Sequence, residues 1–207
     1  MFTIVSCKTK EKIIYLQDVE NNAEITTQSA NALKLVPGDK IGIIVTSAAT
    51  PDLAARYNLT PGTNYSSSNN TDNMRYTIDE NGCIDMLGIG RTKVSGMTRA
   101  EAAKSIQEKF RQGILNDAVV TVAAYNQYIT ILGEVARPGQ LEITRDNINI
   151  LEAIGRAGDL TITGRRDRIK VIRQEGNVSK TYFVDLRSKD LFNSPVYNLQ
   201  QNDIVYV

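Results

Sequence analysis

Polar and apolar positions alternate along most of this chain at a period of two, interrupted by two stretches with helical period. Ile41-Gly42-Ile43-Ile44-Val45 follows the turn Pro37-Gly38-Asp39 and predicts a strand. Tyr76–Ile78 and Cys83–Met86 flank Asn81-Gly82, a pair that favours a type I′ hairpin with positive φ at both residues. Another strand is expected near Arg91–Val94. Thr98 and Glu101 form a capping box, and Ala102, Ile106, Phe110 and Ile114 recur at spacing four, so a helix follows. Gly113 suits its C-terminal end. Val119–Ala124 then reads as a strand. The second half repeats this logic: strands over Ile129–Leu132 and Leu141–Ile143, a short helix Ile150–Ala157 capped by Asn149 and ended by Gly158, and strands near Ile169–Arg173, Tyr182–Leu186 and Ile204–Val207. Gly133, Pro138 and Gly139 mark the turn between the first two of these strands.

The pattern divides the chain. Residues 1–30 read as a polar tether with a possible edge strand at Ile13–Leu16. Residues 31–124 form one α+β domain, with residues 48–73 as a loop-like insertion rich in Ala, Asn, Ser and Thr. Residues 126–207 form a second α+β domain. There, several strands around one helix suit a β-grasp. A faint echo links Leu35-x-x-x-Asp39-x-Ile41 to Leu199-x-x-x-Asp203-x-Val205, with each Asp in a turn before an apolar strand.

Composition narrows the chemistry. At about 150 residues per domain as a soft prior, the 207 residues suit one large domain or two small ones. Lys+Arg number 24 and Asp+Glu 23, a net charge of +1, which argues against a polybasic nucleic-acid binder. The chain has no His, which excludes His-dependent nucleophiles, His-ligated metals and a His general base. No apolar run approaches the roughly 18 residues of a membrane-spanning helix. Cys7 and Cys83 make neither a CxxC nor a zinc spacing, and Cys83 reads as a small, partly buried apolar residue.

The remaining candidates are mostly ordinary. Gly88-Ile89-Gly90 lacks the third glycine of a dinucleotide loop, where Lys93 stands. Asp79, Glu80 and Asp85 surround a hairpin and fit a solvated turn better than a glycosidase pair. Arg165, Arg166, Arg168, Lys170 and Arg173, with Asp167, give a local charge of +4. On an alternating strand Arg166, Arg168 and Lys170 share one face. That face suits an anionic polymer or a neighbouring subunit, or simply keeps an exposed edge from aggregating. No cofactor and no catalytic group is expected.

Ile4-Val5-Ser6-Cys7 is similar to a bacterial lipobox, in which the cysteine is acylated after leader cleavage. Only six residues precede Cys7, fewer than the basic start and apolar stretch of about 7–15 residues that a leader needs. A longer leader or a trimmed N terminus is therefore expected.

In order, these segments resemble the Wza-type polysaccharide export proteins. The first module resembles their polysaccharide export domain through LVPGDKIGIIV (35–45), YTIDENGCIDMLGIGRTKVSGMT (76–98) and AEAAKSIQEKF (100–110). The second resembles their SLBB β-grasp domain through ITILGEVARPGQLEI (129–143), NILEAIGRAGDL (149–160) and LQQNDIVYV (199–207). The resemblance implies an outer-membrane lipoprotein acylated at Cys7, facing the periplasm, in a homo-oligomeric ring that passes capsule or exopolysaccharide. It also implies an inner-membrane copolymerase or tyrosine kinase as partner, and no catalysis. The sequence departs from the family at Met86, where many members have Pro, and at Asp159, where many have Gly. One β-grasp repeat is found, and the residues stop at Val207 without the family's amphipathic pore helix. The alternative is a glycan- or ligand-binding module with no channel.

Overall fold

A computed structural model of the chain describes residues 13–25, 32–58 and 75–207. Cys7 and the Ser66–Thr71 stretch lie outside the described residues. The chain forms two compact units: Ala32–Gln127, and Tyr128–Val207 joined by the N-terminal segment.

The first unit contains strands β1 (Lys40–Thr46), β2 (Arg75–Thr77), β3 (Cys83–Met86), β4 (Gly90–Lys93) and β5 (Val119–Tyr125), with helices α1 (Pro51–Arg56) and α2 (Arg99–Arg111). An antiparallel sheet runs in the order β2-β1-β5, and β3 pairs with β4 as a separate hairpin. Alternation decides the buried face: Ile41, Ile43 and Val45 point inward, and the register sets Ile43 opposite Val122 and Val45 opposite Val120. Ala102, Ile106 and Phe110 form the buried stripe of α2. The capping box is present as expected: Thr98 Oγ1 accepts from Glu101 N, and Glu101 Oε2 accepts from Thr98 N at 2.8 Å. Ile114 lies past the end of this helix, partly buried against the same core.

Two expectations are corrected here. Residues 48–58, read as the start of a loop-like insertion, are ordered structure: Pro51 opens α1, Ala54 is buried, and the Tyr57 ring meets Phe110 edge-on at 5.1 Å. Asn58 then mimics a strand neighbour, accepting from Val45 N at 2.7 Å and donating to Val45 O at 3.0 Å. Asp117 clasps the same segment, accepting from Ser47 Oγ, Ala48 N and Ala49 N. A composition rich in small polar residues signals a loop, but here those residues supply the hydrogen bonds that hold one turn of helix in place.

The second correction concerns the Asn81-Gly82 turn. It does not join β2 to β3 in one ladder, since β2 belongs to the three-stranded sheet and β3 to the hairpin with β4. Gly82 has φ +76, but Asn81 is not in the left-handed region, so the turn is not type I′. Gly82 N donates to Asp79 O, and the Asp79 side chain takes Cys83 N at 2.8 Å in place of a ladder carbonyl.

The second unit contains β6 (Tyr128–Leu132), β7 (Gly139–Glu142), α3 (Ile150–Arg156), β8 (Ile169–Glu175), β9 (Val178–Val184), a 3₁₀ turn at Lys189–Asn193, and β10 (Ile204–Tyr206). One sheet runs β7-β6-β10-β8-β9. Two antiparallel hairpins flank the last strand, which lies parallel to β6 and antiparallel to β8. This is the β-grasp topology expected from the strand and helix order. Ile129, Ile131, Val205, Ile169 and Val171 are buried on one sheet face, and α3 buries Ile150, Ala153 and Ile154. Asn149 Oδ1 caps α3 by accepting from Glu152 N at 2.9 Å.

The internal echo is a shared turn. Asp39 accepts from Val36 N at 3.0 Å, and Asp203 accepts from Gln200 N at 2.8 Å. Gly38 (φ +90) and Asn202 (φ +66) hold the same left-handed position before each Asp. Leu35 and Leu199 are both buried.

Residues 13–25, part of the stretch read as a polar tether with a possible edge strand at Ile13–Leu16, form no strand there and are held instead on the second unit. Leu16 N donates to Leu186 O and Gln17 N to Arg187 O, a short run of backbone bonds to the second unit. Asp18 accepts from Ser188 Oγ and Lys189 N. The Tyr15 hydroxyl donates to Asp159, and burial followed by that carboxylate's proximity pushes the phenol's pKa up. Sparse apolar content hid this contact, because it is made mainly by backbone and polar groups.

Candidate functional site

The cationic stretch splits into separate roles once folded. The strand begins only at Ile169, so Arg165, Arg166 and Arg168 precede it and the expected shared face does not form. Arg166 is 5% exposed. Its guanidinium donates to the carbonyls of Leu160, Thr161 and Gly164, so it stitches a loop instead of meeting a partner. Arg165 forms a two-point pair with Asp167. Arg173 lies inside the unit, paired with Asp203.

Arg168 and Lys170 remain on the outer face of the sheet. The strand register lines up Leu132, Tyr206, Lys170 and Phe183 across β6, β10, β8 and β9. Phe183 is 53% and Tyr206 49% exposed. The Arg168 guanidinium carbon lies 4.6 Å from the centre of the Phe183 ring. Lys170 Nζ sits between the two rings, 6.0 Å from Phe183 and 5.5 Å from Tyr206. These are cation–π distances. Together with Glu134 and Thr163 they line an open depression of about 430 Å³.

The acids nearby are already engaged. Glu134 accepts from the hydroxyls of Thr161 and Thr163, both at 2.6 Å, and these bonds hold its pKa below the ordinary value. Asp167 serves Arg165. Phe183 and Tyr206 are not among the residues that the sequence singles out. Each follows or precedes one buried valine, Val205 before Tyr206 and Val184 after Phe183, but β9 is otherwise exposed, so its residues do not alternate clearly.

Of the turn residues picked out in the sequence, the glycines lie in the left-handed half of backbone space and Asn81 does not. Gly38, Gly82, Gly133, Gly139 and Gly158 all have positive φ. Gly133 is the most constrained: a Cβ there would stand 2.1 Å from Val207 O. Pro37 and Asp39 complete the first Asp turn, while Pro138 precedes β7. Asp79 is spent on its turn and on Arg91, with an oxygen 2.5 Å from Arg91 Nη2. Cys83 is a half-buried free thiol. Among the described residues, no group of three or more His, Cys, Asp or Glu side chains is placed to hold a metal ion. No helix among them is long and apolar enough to cross a membrane.

The comparison with known families follows the same division. The model of the polysaccharide biosynthesis/export proteins matches residues 27–124, and that of the SLBB domain matches residues 127–207. In carrying both domains in this order the chain is similar to the Wza-type polysaccharide export proteins. Among its relatives is the EPS I polysaccharide export outer membrane protein EpsA of Ralstonia solanacearum, 35% identical over 101 residues. That match covers 47% of this chain and 27% of the relative. The EpsA protein of Ralstonia nicotianae is 34% identical over 101 residues, covering 47% of this chain and 26% of the relative. The chain thus matches about a quarter of the length of these relatives. An export domain followed by an SLBB domain is the order that the segments at 35–45, 76–110, 129–160 and 199–207 imply.

Proposed function

We propose that this protein is a subunit of an outer-membrane channel that exports capsule or exopolysaccharide by passive translocation through a homo-oligomeric ring. The observation that carries the reading is the export domain followed directly by an SLBB β-grasp domain. The relatives' names, as polysaccharide export outer membrane proteins, support it. Passage of a hydrated polymer calls for many weak contacts, since each added 1.4 kcal/mol of binding slows escape about tenfold. The open, shallow face around Phe183 and Tyr206 has that character. Ring closure follows when one surface of a subunit meets a different surface of its neighbour at a closing rotation. In this reading an inner-membrane copolymerase, linked to a tyrosine kinase, drives the export.

In this reading Cys7 carries the lipid. Tyr15, eight residues later, is held on the SLBB unit, so the lipid stays within roughly 28 Å of that unit. Cys7→Ser in the native gene is expected to shift the protein from the membrane to the soluble fraction. In detergent, the lipidated protein is expected to run as a closed oligomer by native mass spectrometry. Unchanged fractionation of the variant removes the anchor from the proposal, and a monomer at all concentrations removes the ring.

A further inference from the structure

We propose that the outer face of the SLBB sheet binds a segment of acidic saccharide, with Phe183 and Tyr206 as stacking platforms and Arg168 and Lys170 as partners for sugar carboxylates. This rests on the export reading and adds to it the chemical class of the polymer.

The face offers no free backbone groups within its inner strands. Its backbone groups are already used in the β10–β8 and β8–β9 ladders, so a ligand lying on it must be recognised by side chains. Two half-exposed aromatic rings stand two strands apart, a span of about 10 Å and enough for a disaccharide-length stretch. Aromatic faces carry negative charge density and attract the polarised C–H groups of a pyranose as they attract cations. Between and beside these rings lie Lys170 and Arg168, and neither forms an ion pair with a carboxylate among the described residues. The acids that might have neutralised them are held elsewhere, Glu134 by two threonine hydroxyls and Asp167 by Arg165.

The charge complementarity is therefore with an external anion, and the ring spacing calls for a ligand that is flat, repeating and apolar on its faces. A carboxylate-bearing sugar chain has both properties. Stacking acts on any pyranose, whereas the two cations distinguish acidic from neutral chains. Their contribution is exposed to solvent, so it is screened by salt, and the contact stays weak enough for a polymer to move on.

The test uses the full chain, isotope-labelled, titrated by NMR with tetramannuronate and with neutral mannotetraose. Tetramannuronate is expected to shift the amides of Lys170, Phe183 and Tyr206, and to bind more tightly than mannotetraose at low salt. Phe183→Ala is expected to weaken tetramannuronate about tenfold with the rest of the spectrum unchanged. Lys170→Gln, which keeps the length of the side chain, is expected to abolish the preference for the acidic sugar while leaving residual stacking.

Equal binding of the two sugars, or shifts confined to other residues, overturns the proposal. Equal binding of a single-stranded oligonucleotide makes the face a general polyanion surface and overturns it too. Shifts of the same amides with protein concentration alone give the face to a second copy of the chain. Failure of the site and failure of the export reading are separable. A protein required for polymer secretion that prefers no acidic sugar loses only the site. A protein that binds tetramannuronate but is dispensable for secretion loses only the export role.

Discussion

Replacing Arg173 with Met is expected to destabilise the SLBB unit by about 3–5 kcal/mol, the usual cost of removing one partner from a buried ion pair. Arg173 Nε and Nη2 contact the two oxygens of Asp203 at 3.0 and 2.6 Å. Its other donors reach Pro195 O and Asn198 O, both at 3.1 Å. A single guanidinium thus ties β8, the loop from residue 194 to 203, and the start of β10. Asp203 is 1% exposed, so in the variant its carboxylate stays buried with only Gln200 N of the partners named here. Met fills much of the volume, so the loss reports charge and hydrogen bonding and not a cavity. Denaturant unfolding followed by hydrogen exchange is expected to show lost protection in β8 and β10 first. A change below about 1 kcal/mol would mean that water replaces the guanidinium and that the pair is not the clamp described.

Phe110→Ala is expected to cost a similar amount, about 3–5 kcal/mol, in the export domain instead. Phe110 is fully buried in the last turn of α2, and the edge-on contact with Tyr57 ties α2 to the segment after α1. Truncation removes the ring and leaves a cavity that Ile106 and Tyr57 are held too firmly to fill. The expected signature is loss of hydrogen-exchange protection in α1, α2 and β1, with amides of the SLBB sheet unchanged. Since the chain forms two compact units, each variant is expected to weaken its own unit. Loss of protection in both units from either substitution would contradict separate cores.

Much of this architecture was legible in the amino-acid order because several signals agreed at the same positions. Thr98 and Glu101 announced α2, and the period-four stripe Ala102-Ile106-Phe110 fixed its buried face. In the SLBB unit the strands and Asn149 set out the β-grasp, and α3 fell where the cap put it. What escaped was structure made by polar groups. Asn58 and Asp117 organise residues 47–58 through side-chain bonds that composition reads as loop, and Tyr15 to Asp18 dock through backbone and carboxylate contacts.

The candidate site was half legible. The charge cluster at 165–173 pointed to the right region, but burial sorts its members. Arg166 turns inward because a loop of carbonyls needs a donor, and Arg173 turns inward because Asp203 lies beneath it. Arg165, Arg168 and Lys170 stay on the outside, and of these Arg165 is taken up by Asp167. The rings beside the other two are set by strand register between β8, β9 and β10, a pairing between residues far apart in the chain that no local pattern encodes.

The central claim is that this chain serves polymer export without reacting on the polymer. Its most direct measurement is the partition of polysaccharide between cells and medium in a strain lacking the gene, against the same strain with the gene restored. The account predicts that the deletion strain still makes polymer but keeps it with the cells, and that restoring the gene returns it to the medium with unchanged chain length. Normal release from the deletion strain, or polymer whose chain length depends on this protein, would contradict it.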